Sequence, residues 1–335
     1  LCEGFRSIGA IPAVFSTDWA VSWPFSLAGE TPSEAVDFAA ETWRPQSGGD
    51  FLERARSVAQ AVRAFQPDIV FYHSSFFEQI TARVAAFRPA PWQFHINHGE
   101  EMPVDFFAGR AHRQARALAA TRYREVSAPW VPMACDIATR LADEPAVTRQ
   151  AIGVDTASSV SATFGDLDQA GSPEFVSALT EILMRFPEHT HLFAGSGNVR
   201  TLRQALHAEG VLARVRFLGP VVNAASLMPS IDFYLAPFPH MDSEFVMDAL
   251  GAGKPVLMHK EATDPRTGAE SSLVGIDDLL ASNRSAYVEA ASVLIRKPPV
   301  RARLTHEVRS RFEAEYSPRR VAERYLEFIE TLSAR

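Results

Sequence analysis

The 335-residue sequence has only two cysteines, Cys2 and Cys135, and it has no apolar run near the roughly 20 residues that a membrane span needs. Two cysteines cannot form a disulfide framework, and four-ligand zinc patterns are missing, so we expect a reducing, cytoplasmic location. No signal-peptide pattern opens the chain. Excess positive charge is also lacking, since the formal net charge is −7. This balance argues against nucleic acid or an anionic membrane surface as the main partner.

A complete dinucleotide-binding fingerprint is missing as well. Gly195 and Gly197 form a G-x-G pair after a predicted strand, but Arg200 stands where the third glycine is expected. No acidic residue completes the pattern. These departures argue against a Rossmann-type dehydrogenase.

Alternating strand and helix patterns run through the whole chain and predict an α/β protein with parallel sheets. The length fits two domains of about 150 residues, each with its own core. We expect a first domain at residues 1–150, a second at 151–315 and a final amphipathic helix at 316–335. Within the first domain, residues 105–120 are predicted to be mostly helical.

Polar residues follow the predicted strands of the first domain, where parallel sheets place their ligands. His73, His95 and His98 lie at such strand ends. His98 precedes a glycine turn and is the best candidate for a catalytic base or hydrogen-bond donor, because histidine titrates near neutral pH. The alternative for each histidine is a purely structural hydrogen bond or contact with water.

The most informative stretch, residues 215–258, predicts the order strand, loop, short helix, strand, loop, helix, strand. The last helix is expected to begin near Asp242 and Ser243, which are favoured N-caps, and to end at Gly251 and Gly253. A helix start after the carboxyl end of a parallel strand has free N–H groups and a partial positive charge, which suit a diphosphate. The pattern alone is equally compatible with an ordinary strand–helix–strand unit.

The text Asp248-Ala-Leu-Gly-Ala-Gly-Lys-Pro-Val-Leu257, with Ala236-Pro-Phe-Pro239 before it, resembles the donor-site region of GT-B glycosyltransferases. Retaining members carry Glu-Ala-Met-Ala-x-Gly-x-Pro-Val-Val here. The looser details are similar to the branch that contains O-GlcNAc transferase and the bacterial cytoplasmic N-glycosyltransferases. The resemblance is good over residues 161–291 and holds only in outline in the first half.

The resemblance implies the GT-B architecture, in which two Rossmann-like domains face each other across a cleft and the last helix crosses back to the first domain. In that architecture a first strand and a glycine-rich turn precede the helix end with which this chain begins. We therefore expect that the N-terminal domain is truncated and lacks its first strand. The acceptor is expected on the first domain and the donor on the second.

The implied activity is metal-independent transfer of a hexosyl or N-acetylhexosaminyl group from a UDP-sugar to a protein or small-molecule acceptor, without a cofactor. Asp248 would bind the donor ribose, and the helix start would face the phosphates through Ser243 and backbone N–H groups. The other residues that the resemblance assigns to the donor are Gly165, Pro220, Val221, Val222, His240, Asp242, Glu244 and Phe245.

Several residues depart from the family pattern. Lysine or arginine usually follows the first strand of the donor domain, but residues 164–173 contain neither, and Gln169 stands about where lysine is expected. Asp166 and Asp168 in this loop would repel a phosphate at close range. His240 occupies the ribose-motif position that is usually glutamate. Charge compensation would then come from His240, Arg200, Lys260 or residues upstream of Leu1.

Two other functions stay open. One is a catalytically weak or inactive GT-B subunit that binds or stabilises a partner transferase, and the other is a nucleotide-sugar epimerase of the same architecture. A homo-oligomer or a complex with a partner subunit is compatible with all of these readings.

Overall fold

A computed structural model describes residues 2–15, 41–43, 50–73, 79–97, 109–112, 135–143, 145–155, 158–221, 223–264 and 270–333. The chain divides into two compact units. The first comprises Leu1–Ala134 and Pro318–Arg335, and the second comprises Cys135–Ser317.

The first unit contains two small parallel sheets. Its elements are α1 (Cys2–Ser7), β1 (Ala13–Phe15), β2 (Glu41–Trp43), α2 (Phe51–Phe65), β3 (Ile69–His73), α3 (Gln79–Ala86), β4 (Trp92–Asn97) and β5 (Gly109–His112). β1 pairs with β2, and β3, β4 and β5 form a three-stranded sheet in that order. α2 starts with a capping box, in which the Asp50 carboxylate accepts from the backbone N–H groups of Leu52 and Glu53 at 2.8 Å.

The helix predicted over residues 105–120 is wrong at residues 109–112. These four residues form β5, which pairs in parallel with β4 from Phe94 opposite Gly109 to Asn97 opposite His112. The backbone groups of β5 form hydrogen bonds with β4. Helix propensity describes only neighbouring residues, so it does not take a strand partner into account. The remaining residues of the predicted helix lie outside the described ranges.

The second unit is built on a six-stranded parallel sheet with the strand order β11-β10-β9-β6-β7-β8. Its elements are α4 (Ile137–Asp143), β6 (Ser159–Asp166), α5 (Leu167–Ala170), α6 (Pro173–Arg185), β7 (His189–Ser196), α7 (Val199–Ala208), β8 (Val215–Phe217), a 3-10 helix (Ala224–Ser230), β9 (Phe233–Leu235), α8 (Ser243–Gly251), β10 (Val256–His259), β11 (Leu280–Ala281), α9 (Arg284–Arg296) and α10 (Pro298–Glu315).

The order of these strands creates a topological switch point. β6 lies inside the sheet, with β7 and β8 on one side and β9, β10 and β11 on the other. The winding direction therefore reverses between β6 and β9. In doubly wound sheets, ligands bind outside the carboxyl ends of the strands at such a point.

Residues 135–150, which the sequence analysis assigns to the first domain, are grouped with the second unit. Local contacts explain the grouping. The Val147 N–H donates to the Ser226 carbonyl at 2.9 Å, and the Arg149 guanidinium pairs with Asp232 at 2.9 Å. These contacts attach the segment to the 3-10 helix and to the residue that precedes β9.

The final helix, α11 (Pro318–Ser333), belongs to the first unit. Its buried side chains include Tyr325, which packs against Phe5 of α1 and Phe71 of β3. Phe328 packs edge-on against Phe94 of β4 at a centroid distance of 5.7 Å. No helix in the described ranges is both long and apolar enough to cross a membrane.

Candidate functional site

The switch point brings the end of β6 against the start of α8. Gly165, the second-last residue of strand β6, has φ +111°, a conformation that residues other than glycine rarely adopt. A Cβ atom at this position would lie 2.9 Å from Asp242 Oδ2 and 2.9 Å from Phe245 Cδ2. Glycine is therefore needed here so that the start of α8 can pack on the end of the strand.

A second glycine, Gly195, closes the same edge of the sheet. It lies opposite Gly165 in the register of β6 and β7, and a Cβ atom on it would overlap the Gly165 carbonyl oxygen. Its N–H donates to the Gly219 carbonyl at 2.8 Å. Pro220, exposed, and Val221, half-buried, follow directly, whereas Val222 lies outside the described residues. The ends of β6 and β7 and the predicted uracil contact at residues 220–222 therefore lie close together, and backbone atoms form the contact.

α8 begins where the sequence predicts, with Asp242 as N-cap accepting from the Glu244 N–H at 3.1 Å. The Ser243 N–H and hydroxyl both donate to Asp264 Oδ2, at 3.0 and 2.7 Å. Asp264 is fully buried. Two donors that the resemblance assigns to phosphate are therefore paired with a carboxylate that the sequence analysis did not single out.

The side chains at the exposed end of α8 differ in burial. Glu244 is exposed, while Phe245 is half-buried and contacts Phe164 edge-on at a centroid distance of 6.3 Å. His240, also exposed, forms a backbone bridge with Thr263. Polar and aromatic groups thus surround the helix start.

Asp248, the predicted ribose ligand, lies one turn further along α8 and is 1% exposed. Its Oδ1 forms an ion pair with the Arg140 guanidinium of α4 and accepts from the Cys135 thiol at 3.6 Å. Oδ2 is buried and has no hydrogen-bond partner in the part of the chain that the structure describes. Desolvation raises the pKa of the Asp248 carboxyl to about 6, although Arg140 acts to lower it.

Arg140 contacts the predicted ribose ligand Asp248, and the sequence analysis did not single it out. Its side chain is 38% exposed, and its backbone oxygen accepts from Asn223 Nδ2 at 2.6 Å. The ion pair with Asp248 joins residues 108 positions apart, so no local pattern could reveal it. The sequence offered only the absence of lysine and arginine in residues 164–173 as a sign that a cation must come from elsewhere.

Asp166 and Asp168, the two aspartates in residues 164–173, both accept hydrogen bonds from backbone N–H groups. Asp166 Oδ1 accepts from the Asp168 N–H at 2.9 Å and caps α5. Asp168 Oδ1 accepts from the Asn198 N–H at 2.7 Å, which fastens the glycine turn after β7. Gln169, at the expected lysine position, has a buried Oε1 without a partner among the described residues. The carboxylates that would oppose a phosphate thus shape the loop.

The other predicted residues are less informative. His98 lies outside the described residues. Arg200 is exposed near the start of α7, and Lys260 is exposed just after β10, with its backbone N–H donating to the Ala281 carbonyl at 2.8 Å. Within the described ranges, no group of three or more histidine, cysteine, aspartate or glutamate side chains could hold a metal ion.

Comparison by sequence finds one relative and no matching family model. The phosphatidyl-myo-inositol mannosyltransferase of Mycolicibacterium smegmatis is 31% identical over 156 residues, which cover 39% of this chain and 39% of that protein. The chain therefore spans well under half the length of this relative.

Comparison by structure finds similar glycosyltransferases. A glycosyltransferase from Rickettsia africae has a TM-score of 0.71 at 12% identity, covering 99% of this chain and 96% of that one. Anabaena HepE in complex with UDP has a TM-score of 0.61 at 15% identity, covering 88% and 86%. A mutant O-GlcNAc transferase from Thermobaculum terrenum has a TM-score of 0.53 at 20% identity, covering 88% of this chain but 57% of its own.

These likenesses extend over most of the chain, beyond the segment that carries the sequence motif. They confirm the predicted α/β class and the predicted resemblance to the GT-B glycosyltransferases, including the O-GlcNAc transferase branch. The chain has the GT-B glycosyltransferase fold.

Proposed function

We propose that this chain is a glycosyltransferase that moves a sugar from a UDP-sugar to a protein or small-molecule acceptor without a metal ion. The observation that carries the proposal is the coincidence of three features at one switch point. Glycine-lined strand ends meet there, α8 begins there, and the buried Asp248 keeps one carboxylate oxygen without a partner among the described residues. This combination suits a nucleoside diphosphate.

In this proposal, Asp248 accepts hydrogen bonds from the ribose hydroxyls, and the backbone at residues 220–222 contacts the uracil. The bond between the sugar and the diphosphate breaks, UDP leaves with the bonding electrons, and the acceptor forms the new bond to the sugar as it loses a proton. His98 is our candidate for the group that receives this proton.

The names of the similar proteins support the choice of donor. HepE was crystallised with UDP, which supports a uridine nucleotide. One similar protein is named an O-GlcNAc transferase and another a mannosyltransferase. These names support transfer of a hexosyl or an N-acetylhexosaminyl group.

A catalytically weak subunit is the second candidate, and two observations favour it. Residues 164–173 lack lysine and arginine, and the Ser243 donors are occupied by the buried Asp264. Both reduce the positive potential available to a leaving diphosphate. Such a chain would bind UDP but not turn over a UDP-sugar.

The test is incubation of the chain with UDP-hexoses and UDP-N-acetylhexosamines, with and without acceptors, followed by quantification of UDP and of every sugar product. Transfer or slow donor hydrolysis that Asp248→Asn lowers would support the proposal. UDP binding without turnover would favour the subunit, and conversion of the free donor into its epimer would identify an epimerase. The absence of both UDP binding and turnover would contradict the transferase and the epimerase.

A further inference from the structure

Arg140 contacts both segments that bind the nucleoside in the proposed function, namely Asp248 of α8 and the chain next to residues 220–222. The guanidinium contacts Asp248 Oδ1 on α8, and the Arg140 backbone oxygen accepts from Asn223 Nδ2 at 2.6 Å. Asn223 directly follows residues 220–222, the predicted uracil contact. Arg140 therefore lies where the predicted ribose and uracil contacts meet.

The surroundings of Asp248 oppose its ionisation. Burial raises the pKa of the carboxyl to about 6, and Glu244, one turn earlier on α8, acts in the same direction. Burial also raises the pKa of the neighbouring Cys135 thiol to about 12, so this group stays a neutral donor over the accessible pH range. Arg140 is the contacting cation that favours the charged carboxylate.

The remaining elements around α8 add few titratable groups. Tyr234 of β9 faces the carboxylates of α8, and burial raises the pKa of its hydroxyl well above the usual value. α10 faces α8 with Phe312 next to Gly251 and with Arg309 next to Gly253. Among these groups in the described part of the chain, the Asp248 carboxyl is the one with a pKa of about 6, so its charge is the one that changes near that pH.

We infer that Arg140 is a positioning residue for the donor nucleoside, since its ion pair holds the Asp248 carboxylate charged and oriented with Oδ2 left to accept from ribose hydroxyls. This inference rests on the proposed function. Oδ1 takes both the guanidinium and the thiol, whereas Oδ2 has no partner among the described residues. A buried acceptor needs a hydrogen-bond partner, and the ribose hydroxyls of a bound nucleotide would supply one to Oδ2.

The experiment is a calorimetric titration of UDP at a series of pH values between 5 and 9, with the wild-type chain, Arg140→Gln and Arg140→Lys. Arg303→Gln is the matched control, because it removes the same charge from a surface ion pair with Asp278 and Glu307. Titration of the UDP phosphates is common to all four proteins and cancels in the ratio of their dissociation constants. Thermal unfolding at each pH verifies that every variant is folded.

The wild-type affinity should fall as the pH drops through about 6, the pKa of Asp248. An opposite charge in contact lowers a carboxyl pKa by about 1–3 units, so Arg140→Gln should move the midpoint upward by about one pH unit or more. Its affinity should then recover at high pH. Arg140→Lys should return the midpoint toward the wild-type value, and Arg303→Gln should leave it unchanged.

Two results would overturn the inference while leaving the proposed function intact. In the first, Arg140→Gln binds UDP with the same affinity and the same midpoint pH as the wild-type chain. In the second, Arg140→Gln binds UDP more weakly by the same factor at every pH. The first would show that Arg140 has no role in binding, and the second that it does not act through the charge of Asp248. Failure of the folded wild-type chain to bind UDP at any pH would overturn the proposed function, and the inference would fall with it.

Discussion

The carboxylate of Asp248 is the single residue on which the proposed function depends most. It is buried, its Oδ1 is paired with Arg140, and its Oδ2 has no partner among the described residues. A buried acceptor without a hydrogen bond costs about 1–3 kcal/mol. A bound ribose that fills this position recovers that free energy as binding affinity.

Asp248→Asn should weaken UDP binding by about 1–3 kcal/mol, because the charged acceptor of the ribose hydroxyls becomes a neutral amide of the same shape. Calorimetric titration measures the change. Asp278→Asn is the control, since Asp278 is an exposed carboxylate that pairs with Arg303. Unchanged affinity in Asp248→Asn would remove the main site assignment.

Gly165→Ala should lower the melting temperature and weaken UDP binding, because the new Cβ atom would press against Asp242 and Phe245 at the start of α8. Gly210→Ala is a matched control. Gly210 also has a positive φ, +72°, but a Cβ atom there has no neighbour within 4 Å. It therefore reports the backbone strain of a side chain at positive φ without a steric clash, about 1–2 kcal/mol. Equal stability and equal affinity in the two variants would contradict the packing that we assign to Gly165.

Elements whose start signals lie within a few residues were predicted correctly. α8 begins after Asp242, as the capping preference of aspartate indicates. β5 was predicted as helix because its strand partner is remote in sequence. The Arg140–Asp248 ion pair and the Asp264–Ser243 hydrogen bonds could not be predicted for the same reason. Each joins residues that are distant in sequence and meet only in the folded chain.

The paired strands β6 and β7 carry a buried chain of serine and histidine side chains. Ser161 Oγ lies 2.8 Å from His189 Nε2 and 2.8 Å from His191 Nδ1, and Ser159 Oγ lies 2.7 Å from His189 Nδ1. Desolvation lowers the pKa of His189 from 6.5 to about 4 and that of His191 well below 6.5. Both imidazoles are therefore neutral in the folded chain at neutral pH.

This pair should make the fold sensitive to acid. Below pH 6.5 the histidines of the unfolded chain become protonated, whereas the buried histidines of the folded chain stay neutral. The stability that is fully present above pH 6.5 is therefore lost as the pH falls toward about 4. For His189 the loss amounts to roughly 3 kcal/mol at about 1.4 kcal/mol per pKa unit. Chemical denaturation as a function of pH measures it.

His189→Gln should flatten this pH dependence, because glutamine does not titrate in the range. His207→Gln is the control, since His207 is exposed on α7. A wild-type stability that is constant between pH 6.5 and 4 would show that the buried histidines do not control acid unfolding. An equally steep loss in His189→Gln would show that His189 does not contribute to it.

At the scale of the whole molecule, the chain returns to its first unit at the end. α11 supplies Val321, Ala322 and Tyr325 to a cluster with Phe5 of α1, and Phe328 and Ile329 to a cluster with Phe94 of β4. The C-terminal residues thus complete the core of a unit whose other residues come from the opposite end of the chain.

Tyr325→Ala should destabilise the first unit by about 3–5 kcal/mol, because it removes a buried aromatic side chain from the cluster with Phe5 and Phe71. Glu330→Ala, an exposed position on the same helix, is the control and should change stability little. Thermal unfolding compares the two variants. Equal melting temperatures would contradict the packing of α11 in this unit.

The central claim is that the second unit holds a uridine nucleotide at its switch point. Calorimetric titration of the wild-type chain with UDP, run beside GDP, ADP and NAD, tests it most directly. The account predicts selective binding of UDP. Binding of none of the four, or equal binding of all of them, would contradict it.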